Sequence, residues 1–359
     1  MMVEYVPNYD CPLTIEVDAR PAYEFLLTLC VASDAAGRAT YEVGRGWFDD
    51  VRAHASPGLL AAVEEFCGGS DKIWAHLLSL AHDTPAPRDV PAFLAHLEST
   101  DAEEVRLRLL GYYLRYVRRA TPPAVVAAAA AGDLRAQREF LATSYPADAA
   151  WQAALRALLP LAPQETKARL LDILRRWQRD IFAAREPGVL PILRRDAEAK
   201  DALLRTASPD RLLETAMPGF AYVPEPGIRR VALIPSVVIR PQIHSLDHHE
   251  VKIFCYPVAD ESMAATADAP PARLVRTLKA LADERRLRIL KRLTTGDYTL
   301  QELATHFDSG NTTMLHHLVI LRAAGLVRVG GPAKRYSVQR VALPTVTEAL
   351  DAYLDDGRP

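Results

Sequence analysis

ARLVRTLKALADERRLRILKRLTTGDYTLQELATHFDSGNTTMLHHLVILRAAGLVRV, residues 272–329, decides the fold of the C-terminal part of this 359-residue chain. Leu274, Val275, Leu278 and Leu281 recur at helical spacing over 272–282 with Arg and Lys opposite, which predicts an amphipathic helix. Asp283 is placed to cap a second helix over 284–293, with Leu287, Ile289, Leu290 and Leu293 directed inward and Arg285, Arg286, Arg288 and Arg292 left in water. Thr299-Leu300-Gln301-Glu302 has the spacing of a capping box, so a third, short helix starts at Thr299, buries Leu300, Leu303, Ala304 and Phe307, and stops near Asp308-Ser309-Gly310. A fourth runs from about 311 to 324 with Met314, Leu315, Leu318, Leu321 and Ala324 apolar, and Gly325 stands where a left-handed cap is wanted. Two short helices across a tight glycine-containing turn make a helix-turn-helix.

Leu326–Val329 and Lys334–Val338 flank Gly330-Gly331-Pro332 and read as a β-hairpin, a wing directly after the helix-turn-helix. A last helix is expected over 344–354, with Val346, Leu350 and Leu354 on one side. The segment 271–340 holds 13 Lys and Arg against five Asp and Glu, a net +8, whereas the whole chain is at −2; everything else therefore carries −10. Such an electropositive island favours phosphate-bearing partners, because counterion release drives their binding.

Outward from there, the N-terminal part reads as helical. A short strand is expected over 13–20, Pro21 opens a helix, and the pattern stays helical to about 216, most clearly over 101–119 and 164–184. Residues 228–242 and 250–257 are rich in Val and Ile and predict an antiparallel hairpin with HSLDHH as its polar turn; Pro235 and Pro241 suggest an edge strand or bulges. Small, polar, proline-containing residues over 259–271 read as a linker. The expected fold is mainly α. A large helical N-terminal domain with a terminal β-hairpin (1–258) is followed by the linker and a C-terminal winged helix-turn-helix domain (272–359).

The runs ALADERRLRIL, QELA and HHLVILRAAGLV, together with the wing tyrosine Tyr336, resemble the ArsR-type winged-helix transcriptional regulators over roughly 272–340, about a fifth of the chain. The preceding part, ending in LIPS…FCYP, resembles the long helical region of uncertain function that some actinobacterial-type members carry before this domain. The resemblance implies a homodimer joined through the first and last helices of the winged unit, where Leu274, Leu278, Val346, Leu350 and Leu354 are the available apolar residues. Asn311, Thr312, Thr313 and His316 project from the first turns of the recognition helix and are the candidates for base contacts; His317, Lys334 and Arg335 suit backbone phosphate. Leu315 departs from the family, which often has a small polar residue there. The expected partners are double-stranded operator DNA, a second copy of the chain, and an unidentified small-molecule or protein effector at the N-terminal domain. A repressor is the simpler expectation, since occluding a promoter needs only binding.

Other chemistry has little support. The familiar metal positions of relatives are absent, because 299–307 holds no cysteine and 343–354 no histidine. His244, Asp247, His248, His249 and Glu250 fall on the expected hairpin turn and read as solvated. Tyr112, Tyr113, Tyr116, Trp151 and Trp177 read as core, and His306 as structural or water-facing. Gly44-Arg45-Gly46 lacks the flanks of a nucleotide loop, and neither a P-loop nor a GxSxG elbow occurs. No catalytic residue, metal or cofactor is therefore expected, and the chain is not read as an enzyme. The four scattered cysteines and the lack of a ~20-residue apolar run or secretion signal make a cytoplasmic location the expectation. The alternative reading is a winged-helix interaction adaptor or scaffold without specific DNA binding; a protein-docking wing has no need of the +8 charge.

Overall fold

The apolar run after Pro21 becomes the helix Pro21–Ser33, which is buried on almost every side and forms the axis of the N-terminal body. The computed structural model describes residues 13–35, 37–263, 270, 272–330, 334–339 and 344–355. Shorter helices surround the axis, and three buried tryptophans fix their packing. Each indole N–H has a hydroxyl acceptor: Trp74 donates to Ser33 (2.8 Å), Trp151 to Ser144 (2.9 Å) and Trp177 to Thr28 (2.9 Å). The helix expected over 164–184 runs as Pro163–Trp177 and passes into a π-helical turn, Gln178–Phe182. The one expected over 101–119 is instead two helices, Ala102–Leu109 and Arg115–Ala120. The break falls at Gly111, which takes φ +76°; a Cβ there would lie 2.7 Å from Val117 and 3.0 Å from His76.

The strands differ more from expectation. β1 (Thr14–Val17), β2 (Arg230–Ser236), β3 (His244–His248) and β4 (Val251–Pro257) form one sheet in the order β1-β2-β4-β3. β1, β2 and β4 are parallel, and only β3 runs antiparallel, against β4. The 228–242 and 250–257 segments are thus parallel neighbours rather than a hairpin, and the expected turn HSLDHH is itself mostly a strand. A parallel pair needs a crossover of a dozen or so residues, and 237–250 supplies it. β3 escaped detection because its buried polar side chains find charged partners: Asp247 meets Lys252 at 2.8 Å and His248 meets Asp83 at 2.8 Å. β2 is an interior strand despite Pro235, which lies past Leu233, the last residue paired with β1, so its missing N–H forfeits no bond on that side.

The winged unit follows the sequence closely. Its helices are Ala272–Leu281, Glu284–Leu293, Leu300–His306, Asn311–Ala323 and Pro344–Asp355, with β5 (Val327–Gly330) antiparallel to β6 (Arg335–Val338). Asp283 caps the second helix through the Arg286 amide (2.8 Å), both halves of the Thr299/Glu302 capping box are present, and Gly325 takes φ +72°. Ile289, Leu293, Leu303, Met314, Leu318 and Leu321 form its core. Leu287, expected inside, is 47% exposed, and Leu315 is 41% exposed. The wing tip 331–333 lies outside the described residues.

The expected linker starts as an anchored segment. Ala259 N–H and Ser262 Oγ both donate to the buried Asp196 carboxylate, at 2.7 and 2.9 Å, while 264–269 and 271 lie outside the described residues. A second junction had no sequence signal. Gly219 and Ala221 pair with Val329 of β5 through two backbone hydrogen bonds, 2.8 and 3.0 Å, so the N-terminal part forms a single parallel β-bridge with the wing sheet at Phe220. Among the described residues no helix is long and apolar enough to cross a membrane.

Candidate nucleic-acid interface

Gly310 enters the recognition helix with extended backbone and no capping side chain, leaving the first-turn N–H groups available. Asn311, Thr312 and Thr313 are exposed there, ahead of the buried Met314, Leu318 and Leu321 that seat the helix. Asn311 Nδ2 donates to Gln301 Oε1 at 2.9 Å, joining the two helices of the motif across their polar faces. Gln301 was not singled out from sequence. Its signal was its place in the first turn of the capped helix, which the turn folds back towards Asn311.

His316 is half-buried, and burial with the nearby Arg286 charge lowers its pKa. His317 is turned inward, its side chain 12% exposed and Nδ1 4.0 Å from the Asp283 carboxylate. Burial lowers its pKa too, against the pull of Asp283, so the fold disfavours the charged form of both rings. In the wing, Lys334 is exposed and takes φ +46°, while Arg335 donates to the Asp297 carbonyl and lies 3.3 Å from Glu302. Lys334 has no ion pair among the described residues.

The structure divides the cations of the +8 segment by task. Arg286 donates to the Ala280 and Lys279 carbonyls that end the first helix, Arg292 lies 4.5 Å over the Tyr298 ring, and Arg276 is paired with Glu42 and Asp260. Arg322 is buried. Arg273, Lys279, Arg285, Arg288, Lys291, Arg328, Lys334 and Arg335 remain exposed, and Arg340 lies outside the described residues.

The first and last helices of the unit lie against each other. Leu274 is buried between elements of its own chain, Val346 and Leu350 are half-buried, and Leu278 (41%) and Leu354 (64%) are exposed, with Tyr353 (37%) beside them.

The histidine-rich strand is not the solvated turn that its composition suggested. His248 and Asp247 are buried and His244 is half-buried; of the five side chains singled out, His249 and Glu250, at the β3–β4 corner, are exposed. Burial alone would raise the Asp83 carboxyl, but hydrogen bonds and charge from His248 and Arg108 hold it well below the usual carboxylate range. Among the described residues no three His, Cys, Asp or Glu side chains converge in a way that could hold a metal ion.

Residues 283–329, from the Asp283 cap into β5, match the family described as bacterial regulatory protein, arsR family. This stretch is an ArsR-family regulator domain. The ArsR-family match supports DNA binding and transcription regulation, with the helix-turn-helix at its centre. No curated protein and no solved structure matches the chain.

Proposed function

We propose that the chain is a homodimeric, sequence-specific DNA-binding repressor of transcription. The observation that carries this reading is the exposed polar first turn of Asn311–Ala323, a helix seated by buried residues within the ArsR-family domain. Asn311 suits adenine, Thr312, Thr313 and His316 suit base edges or phosphate, and Lys334 and Arg335 suit the backbone. His317 serves phosphate only after turning away from Asp283. Leu278 and Leu354, with Leu274, Val346 and Leu350 beneath or beside them, form the dimer face, and a two-fold axis there sets two recognition helices over half-sites about one DNA turn apart. Residues 1–258 act as a sensing or interaction domain, joined to the winged unit through 259–271. Their effect reaches DNA through the β-bridge at Gly219–Ala221 and the Arg276 ion pairs.

The test is selection of bound sequences from a random DNA pool by the full-length protein, with affinity followed against salt. Enrichment of an inverted repeat is expected. Salt-sensitive binding with no enriched motif, equal on every DNA, would overturn specific recognition and leave the adaptor reading.

A further inference from the structure

A cavity of about 380 Å³ opens where the carboxyl ends of β2 and β4 meet the winged unit. Open sheets with parallel strands commonly bind ligands outside that end. Five cations line the cavity: Lys200 and Arg240 from the N-terminal part, Arg273 and Arg276 from the first winged helix, and Arg322 from the last turn of the recognition helix.

Three of the five are matched. Lys200 lies 3.2 Å from Asp196, and Arg240 and Arg276 share Glu42 and Asp260, with Arg276 at 2.6 and 2.9 Å. Arg322 is different. It is 8% exposed, and among the described residues it makes no ion pair and donates no side-chain hydrogen bond. Burial pushes its pKa down to about 10, which still leaves it charged at neutral pH. The titratable group acting on it is Tyr336, a phenol that burial keeps neutral. Arg273 at the opening is exposed and also unpaired among the described residues. Of the acids lining the cavity, Asp260 is already engaged and Glu261 is exposed. Buried guanidinium groups are normally paired, because leaving one desolvated and alone is costly. Among the described residues, then, no carboxylate neutralises Arg322 or Arg273 in the cavity.

We propose that this cavity binds a small anionic molecule bearing a carboxylate or phosphate group, with Arg322 as its buried counter-ion and Arg273 at its mouth. The molecule would bridge the sheet, the first winged helix and the end of the recognition helix. On the regulatory reading above, on which this consequence rests, its binding alters how the recognition helix is presented to DNA.

Isothermal calorimetry on the full-length protein without DNA, at constant ionic strength, with inorganic phosphate and citrate as separate probes, tests the site. Saturable binding of at least one probe, one per chain, with Kd at or below about 1 mM, is expected. Arg322→Met should weaken it about tenfold or more and Arg273→Gln less, while Arg322→Lys, which keeps the charge, should retain part of it. Circular dichroism checks that the variants fold; if Arg322→Met does not, Arg322→Lys and Arg273→Gln decide. No saturable binding of either probe, or unchanged affinity in the folded Arg322 and Arg273 variants, would overturn the site. Enrichment of an operator without probe binding removes this site alone. Probe binding by a protein that enriches no operator keeps the site and removes the regulatory reading.

Discussion

On the proposed reading, Thr313 and Lys334 would contact DNA in different ways. A hydroxyl on the first turn of the recognition helix can meet a base edge, whereas a wing ammonium meets a phosphate that every sequence presents. Lys334→Ala with Arg335→Ala is expected to weaken binding to all DNA alike and to lower the salt slope by up to about 2. Because Arg335 is already held by Asp297 and Glu302, Lys334→Ala alone should account for the larger share. Thr313→Ala should cost about 1–3 kcal/mol on selected sites and little on random DNA. Mobility-shift titrations on both classes of DNA separate the two, and equal losses would remove Thr313 from base readout. Glu24 makes a residue-scale prediction about stability. It is buried at the end of β2, where it accepts hydrogen bonds from Ser236 Oγ and the Val237 and Val238 amides, yet burial raises its pKa to about 7. The folded state then holds a proton that the unfolded chain has lost, so this group makes stability fall as pH rises from about 4.5 to 7. His76, lowered by burial to about 4, slopes the other way between about 4 and 6.5, so the comparison must be between proteins. Denaturant melts of wild type and Glu24→Gln at several pH values should show a gap that shifts towards the variant by about 2–3 kcal/mol across that window; a pH-independent gap would count against it.

At the scale of elements, helix ends and the wing hairpin were legible, and the strand pairing of the N-terminal sheet was not. The Asp283 cap, the Thr299/Glu302 box and Gly325 are local arrangements of a few consecutive residues, so reading them requires no knowledge of what lies across the fold. The inward placement of Leu287 failed for the complementary reason: helical spacing says which residues share a face, not whether a neighbour covers it. β3 failed because a run of His, Asp and Ser looks like a turn until Lys252 and Asp83 are seen to satisfy it. The pairing of Gly219–Ala221 with β5 depends on space. A Cβ on Gly330 would lie 2.9 Å from that of Ala221, closer than side-chain carbons approach. Gly330→Ala in the full chain should therefore destabilise the protein by about 1–3 kcal/mol and speed hydrogen exchange at the Ala221 and Val329 amides. Unchanged protection at those two amides would show that the β-bridge does not depend on this close approach.

Across the whole molecule, the charge contrast between an acidic N-terminal part and a basic winged unit has two outcomes. Some of it is spent internally, as in the Arg276 pairs with Glu42 and Asp260, and most of the rest is exposed on the surface of the winged unit. Dimerisation belongs to this scale as well. Leu278→Glu with Leu354→Glu places two carboxylates on the exposed apolar face without disturbing the buried Leu274. Analytical ultracentrifugation should show a dimer for wild type and a monomer for the double variant, with operator affinity reduced at least about tenfold because two half-sites are no longer linked. A dimeric variant would move the interface elsewhere.

The sequence by itself determined the winged unit almost completely: its helices, caps, wing and exposed polar recognition turn. Each of these is specified by periodicity and capping within a short window. Tertiary structure decided the parallel sheet, the burial of His248, the inward turn of His317, the β-bridge from Phe220 to the wing, and the placing of Arg322 in a cavity with no ion pair among the described residues. Those depend on partners tens to hundreds of residues away, and on which charges find them, which no local pattern encodes.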